Sequence, residues 1–227
     1  MTFIQVTQDL FAGFGLTVLL FIITILFAIP LGLVFAFGSM SNFKPLKYLV
    51  KFIIWIIRGT PLMLQIVVVS FIPSQVFSVQ NKAIAAFFGT TMANVNFLFC
   101  IIAFVINYAC YFAEIFRGGI QSISQGQYEA GKVLGLKKRE VFFNVILLQV
   151  IKRTVPPMSN EIITLVKDTS LARIICVVEI IKAAQDAVNI SVSIYPLFYA
   201  GAFYLIFNGL VTLALGWVEK KLSYFKV

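Results

Sequence analysis

The chain has 227 residues, 60% of them hydrophobic and only 12% charged, with 24 Phe and 8 Tyr. At a mean hydropathy of +0.98, this composition excludes a water-soluble domain and a disordered segment alike, since both need far more polar surface. A formal charge of +9, from 18 Lys and Arg against 9 Asp and Glu, would suggest nucleic acid in a soluble protein, but in a bilayer protein it reflects basic cytoplasmic loops, so nucleic-acid binding is not expected.

A helix needs about 20 apolar residues to cross the hydrocarbon. Residues 15–37 carry no charge and give the first span. No basic region precedes it and its apolar run is too long for a signal peptide. Within it Ala28, Gly32 and Ala36 recur every fourth residue, a small-residue stripe that lets a neighbouring helix come close, and Pro30 can add a kink. Residues 48–72 give a second span, interrupted only by Lys51 and Arg58. Residues 97–116 and 195–218 give the third and fifth, both free of charge through most of their length. Residues 156–181 give the fourth, which holds Glu161, Lys167, Asp168, Arg173 and Glu179. No internal repeat is visible. The predicted fold is therefore an all-α integral membrane domain of five transmembrane helices.

Orientation follows from the basic residues. Lys44, Lys47 and Lys51 follow span one; seven more, from Arg117 to Arg153, separate spans three and four; Lys220, Lys221 and Lys226 follow span five. The remaining connections, 73–96 and 182–189, hold only Lys82 and Lys182. This alternation predicts five crossings with the N-terminus outside and the C-terminus in the cytoplasm.

The inner connection of residues 117–155 is far longer than ordinary helix-to-helix links and therefore marks function. It opens on the turn signal Gly118-Gly119, passes through a polar stretch, and presents a short helical run from Gln127 to Leu134 stopped by Gly135, a glycine where a helix C-cap belongs. Lys137, Lys138 and Arg139 follow, placed for the membrane surface. Beyond them an apolar run, 141–151, is too short to span and reads as a helix on or just under the membrane. Residues Gly126 to Lys132 match the phosphate-loop spacing G-x-x-x-x-G-K, but Val133 stands where Ser or Thr must hold Mg²⁺, Glu129 would face the phosphates, and no strand precedes. Nucleotide binding by this chain is excluded on those grounds.

Histidine is absent, and Cys100, Cys110 and Cys176 lie in apolar stretches, so neither a metal site nor a disulfide framework is expected. A membrane-embedded enzyme would need a nucleophile with its base, and no such constellation occurs. Ionisable residues in a span are costly and normally face a cavity or a partner. Glu161, Thr164 and Asp168 share one helical face, with Asn160 and Lys167 at its edge. That face can line a substrate pathway: a carboxylate meets an ammonium, while Lys167 or Arg58 meets a carboxylate. The alternatives are structural, with Lys167 paired to a carboxylate, Arg58 locking the kink at Thr60-Pro61, and Glu114 paired with Arg117 one turn later. A third possibility is an ion-coupled secondary transporter using the protonatable Glu114, Glu161 or Asp168.

Glu129-Ala130, with Gly135 six residues after the Glu and the apolar run through Ile146, resembles the EAA loop of membrane subunits of bacterial ABC importers. Arg58-Gly59-Thr60-Pro61-Leu62 with Gln65, Lys167-Asp168-Thr169-Ser170-Leu171, Ala113 to Gly119, and Pro156-Pro157 through Asn160 narrow the resemblance to the polar amino acid permease family. It runs from about Gly15 to the C-terminus. Two positions depart from the family pattern: Gly131 replaces Ala, and Leu148 replaces a frequent proline before Gln149. Gly131 should weaken its short helix by up to about 1 kcal/mol relative to Ala.

The resemblance implies a type I ABC importer transmembrane domain in a bacterial cell membrane, with a cytoplasmic coupling helix. It further implies two ABC ATPase subunits that bind ATP and Mg, a second permease subunit, identical or paralogous, and an external substrate-binding protein. No cofactor is expected in this chain. Tyr128, Ala130, Leu134 and Gly135 are then the docking residues. Glu129 contacts the ATPase or stabilises the N-terminal end of its helix. An acidic Glu161 in the pathway suits a cationic amino acid better than an anionic one.

Overall fold

The structure is a computed structural model that describes residues 2–222, all helical, with no strand among them. Lys226 lies outside the described residues. Helix α1 (Phe3–Met40) starts at Thr2, whose hydroxyl accepts from the Gln5 amide at 3.3 Å while the Gln5 side chain accepts from the Thr2 amide at 2.9 Å. This reciprocal box satisfies two amides at the helix start. The helix runs unbroken through Pro30 for 38 residues, about 57 Å at 1.5 Å per residue, so it extends well beyond the apolar run of 15–37.

The central element is α5 (Met92–Gln121), capped by the Thr91 hydroxyl, and α1 makes its largest contact with it. The reason lies in side-chain size. Ala28 and Ala36 are fully buried, and a Cβ on Gly32 would stand 2.8 Å from the Phe112 Cβ and 2.9 Å from the Ala109 carbonyl oxygen. Only the absence of a side chain lets the two backbones meet there, which is how helices associate where lipid removes any hydrophobic drive.

The stretch expected as one second span is two helices, α2 (Lys44–Arg58) and α3 (Leu62–Val76), bent by 110°. Gly59 ends α2, and Pro61 stands extended before α3. Proline offers no amide to continue the first helix and biases the preceding Thr60 away from helical geometry. A short α4 (Asn81–Phe87) joins α3 to α5.

After α5 comes α6 (Gln125–Val133), then α7 (Lys138–Val141), a π-helical turn (Phe142–Ile146) and α8 (Leu147–Asp168). The last three, with the 3-10 turn Thr169–Ile175, form one helix of 38 residues, Lys138–Ile175. Two expectations change here. The apolar run 141–151 is not a separate surface helix: Val141, Ile146 and Val150 are buried with Ile123, beside Ile120. The fourth span does not reach residue 181, because the chain turns at Cys176, at φ 61°, and restarts as α9 (Ile180–Ser191). The segment 182–189 is thus helical rather than an open loop. Pro156 and Pro157 sit inside α8 without breaking it.

Glu179 caps α9, accepting from the Ile181 and Lys182 amides at 2.8 Å each and from the Tyr204 hydroxyl at 3.2 Å, and it is fully buried. Through Ala183, Ala184 and Ala187, α9 packs against Val6 and Leu10 of α1 and Ala200 of α10 (Tyr195–Leu222). Most of α10 is exposed and apolar, including Phe198, Leu205, Leu213 and Trp217. Such a face belongs in lipid or against another membrane chain. The result is an all-α integral membrane fold.

Candidate functional site

Among the described residues, the most exposed ordered element carrying expected site residues is α6. Its exit is a Schellman turn: Gly135 has φ +73°, its amide donates to the Lys132 carbonyl at 3.0 Å, and the Leu136 amide donates to the Gly131 carbonyl at 3.0 Å. Glycine takes this left-handed position without the penalty a Cβ brings. The next helix is fixed at once, since the Lys137 amide donates to the Glu140 carboxylate at 2.7 Å. Arg139 stacks over Phe143, 5.7 Å from the ring centre.

Gly131 is the pivot of this corner. A Cβ there would stand 2.4 Å from one Val141 methyl and 3.1 Å from the other, so the glycine that departs from the family pattern makes room for Val141. Gly131→Ala should therefore lower the thermal unfolding midpoint, since overpacking costs about 1–3 kcal/mol against about 1 kcal/mol of gained helix propensity. Adding Val141→Ala should recover most of the loss; a double variant no better than the single one would show that the contact is not the cause.

Tyr128, Glu129, Ala130, Leu134 and Gly135 are all exposed, Leu134 at 76% and Val133 at 88%. Beside them lies a groove of about 570 Å³ whose apolar wall is Leu136, Val141 and Phe142 and whose rim carries Tyr128, Glu129 and Lys132. Glu129 sits in the second turn of α6, past the first-turn amides it would have to stabilise. Gly126 to Lys132 lie inside this helix, so they form no loop able to wrap phosphates.

The intramembrane residues fall into two groups. At the first group, Arg117 pairs with Glu114, its Nε donating at 3.1 Å, and also donates to Gln121 at 3.0 Å. Arg58 reaches Glu114 at 3.8 Å and lies over Tyr111 at 5.1 Å. Arg58 does not lock the bend. Gln65 does: its amide donates to the carbonyls of Ile57 at 2.7 Å and Thr60 at 3.0 Å and to the Thr60 hydroxyl at 2.8 Å, while Asn107 of α5 donates back to it at 3.0 Å.

At the second group, the Tyr108 hydroxyl donates to Asp168 at 2.7 Å. Glu161 is half-buried and, like the exposed Lys167, makes no ion pair within 4 Å among the described residues. Thr164 is exposed and donates to the Asn160 carbonyl at 3.0 Å. Asp168 and Glu161 are therefore not equivalent: one is engaged by its own fold, the other is open. Asn107, Tyr108 and Tyr204 were not singled out from the sequence, and Glu179 was counted only as a charge. The adjacent polar pair Asn107-Tyr108 within the uncharged run 97–113 is the available signal.

Residues 28–224 match the family described as binding-protein-dependent transport system inner membrane component. The chain belongs to this family. The reading drawn from residues 58–62, 129–135 and 167–171, of an ABC importer permease, stands, and the protein is a multi-pass inner-membrane component. Among relatives of this permease, the L-cystine transport system permease protein TcyB of Bacillus subtilis is 32% identical over 94% of the chain and 86% of its own length. The octopine transport system permease protein OccM of Rhizobium radiobacter is 36% identical over 82% and 76%. A solved chain of an amino acid ABC transporter with histidines superposes with a TM-score of 0.79 at 26% identity, covering 96% of both chains. A chain of the methionine transporter MetNI superposes at 0.67 with 15% identity, which supports the fold.

Proposed function

We propose that this permease is the membrane subunit of an ATP-driven importer of polar amino acids, and that α6 is the element through which a separate ATPase moves it. The observation that carries this reading is α6 itself. It is a short helix with its outer residues uncovered, yet fixed to the spans by the Gly131–Val141 contact and the Gly135 turn. A helix held rigidly and offered to solvent suits a groove on a partner. The amino acid class rests on the relatives, which transport cystine, octopine and arginine by their names.

In this reading two permease chains, identical or paralogous, enclose the pathway, two ATPases bind ATP and Mg, and an external binding protein delivers substrate. The N-terminus lies outside and the C-terminus inside. Closure of the ATPases rotates the two membrane halves as rigid bodies. Glu161, half-buried and without an ion pair within 4 Å among the described residues, meets the substrate ammonium, with Asn160, Thr164, Lys167 and Asp168 beside it, and Arg58, whose contact with Glu114 is a loose 3.8 Å, meets the carboxylate. A carboxylate there favours cationic substrates.

The test is reconstitution into proteoliposomes with candidate ATPase and binding protein. Uptake of labelled arginine or cystine should require ATP on the ATPase side and persist without proton or sodium gradients. Uptake by the permease alone on an ion gradient would overturn the reading in favour of secondary transport. Glu161→Gln should shift the preference away from arginine relative to cystine; an unaltered profile would remove Glu161 from the pathway.

A further inference from the structure

Helix α2 carries a pattern that neither the bend nor the import reading uses. Lys44, Lys47 and Lys51 form one row along it, three and four residues apart, and the helix contains no acidic residue. Next to this row stand Tyr48 and Trp55, then Phe52 and Leu49, all exposed, Trp55 at 71%. Val50 and Ile54 are buried against the protein, with Ile57 packed beside them. A helix with a cationic row, a flanking aromatic row and an apolar edge is built to lie in a bilayer surface rather than across it.

The contacts put α2 in that plane. Val50 packs on Gly38, two residues before α1 ends. Eight residues later Arg58 reaches Glu114, seven residues before α5 ends. The whole of α2 therefore stays near the inner ends of α1 and α5, and the 110° bend at Gly59 to Pro61 turns the chain into the membrane as α3. Val50 and Ile54 rest on Ala36, Cys110 and Ala113, so the buried side of α2 faces the bundle, while the aromatic row, Lys44 and Lys51 are exposed and Lys47 is half-buried at the edge of the contact.

We infer that α2 is an in-plane interfacial helix whose Lys44, Lys47 and Lys51 bind the headgroups of anionic phospholipids. The chemistry is specific. Three ammonium groups in a row, with no carboxylate among them, match the phosphates of an anionic leaflet. Tyr48 and Trp55 match the headgroup level where aromatic rings with one polar atom settle. Phe52 and Leu49 extend into the acyl region. α3, 15 residues long, then enters the membrane from this surface.

Trp55 and Trp217 are the two tryptophans of the chain, so the full chain carrying Trp217→Phe reports from Trp55 alone. In vesicles of brominated phosphatidylcholine with phosphatidylglycerol, bromines at the 6,7 positions should quench Trp55 more than bromines at 11,12. Spin-labelled phosphatidylglycerol should associate with the protein in preference to spin-labelled phosphatidylcholine. Lys44→Gln, Lys47→Gln and Lys51→Gln together should cut that preference about fivefold or more, where one lysine near an anionic surface is worth about 1 kcal/mol. The corresponding triple arginine variant should keep it, which separates charge from misfolding. Stronger quenching at 11,12 would mean that α2 crosses the bilayer. Quenching by aqueous iodide but not by either lipid would assign α2 to water or a protein partner. Each of these, or an unchanged preference in the glutamine variant, overturns the inference.

Discussion

Gly32→Leu is expected to separate α1 from α5 and to leave little folded permease in the membrane. Even the first carbon of a side chain would stand 2.8 Å from the Phe112 Cβ and 2.9 Å from the Ala109 carbonyl oxygen. Backbone atoms cannot rotate away as a side chain can, so the helices must part. Overpacking ordinarily costs about 1–3 kcal/mol, and here the upper end or more is expected, because this is the largest helix contact in the fold and close packing holds helices together in lipid. The control is Gly15→Ala, where nothing lies within 4 Å of the added carbon. That substitution should be neutral or stabilise by up to about 1 kcal/mol through helix propensity. Detergent melting curves of the two variants should diverge accordingly; equal midpoints would show that α1 and α5 do not meet as described.

Leu134→Glu is expected to have the opposite profile, with normal folding and lost coupling. Leu134 is largely exposed and follows α6 directly, so its replacement disturbs no packing within this chain. If a partner covers it, the variant loses apolar burial and must desolvate a carboxylate at the contact. Hot-spot truncations cost about 2 kcal/mol or more, so ATP-dependent uptake should fall about 30-fold or further while the melting midpoint stays within a degree or two. Unchanged uptake would remove Leu134 from any docking surface.

Parts of this architecture were plain in the sequence because lipid imposes a simple rule. The uncharged runs of α1, α5 and α10 could be nothing but spans, and Gly135 stopped α6 where the structure stops it. Hydropathy alone failed where two helices share one apolar run. Residues 48–72 look continuous on that scale, yet Gly59-Thr60-Pro61 break them, and the amide of Gln65 then bridges the break. The same scale hid α9, whose Ala183, Ala184 and Ala187 are buried and whose Lys182 pairs with Asp186 one turn on. That four-residue spacing is visible in the sequence, but a segment lying between two apolar spans reads as their connection.

Gly131 shows a different limit. Seen alone it weakens a helix; beside Val141 it is the residue that lets the corner close. No reading of propensity contains the second fact, which depends on a contact across two turns of chain. The engagement of Asp168 by Tyr108 was hidden likewise, since 60 residues separate the partners. Charge spacing placed Glu161 and Asp168 on one face of a helix, and only tertiary contacts distinguish them.

On the proposed function, α6 is a fixed handle on the cytoplasmic side, gripped by an ATPase. Site-specific cross-linking is the decisive check: Glu129→Cys, in a chain whose Cys100, Cys110 and Cys176 are replaced by Ala, carries a short maleimide photo-cross-linker in the reconstituted complex. A permease–ATPase adduct is expected, and labelling of that cysteine in intact cells only by reagents that cross the membrane. Labelling by an impermeant maleimide from outside, or an adduct only with the binding protein, would contradict it.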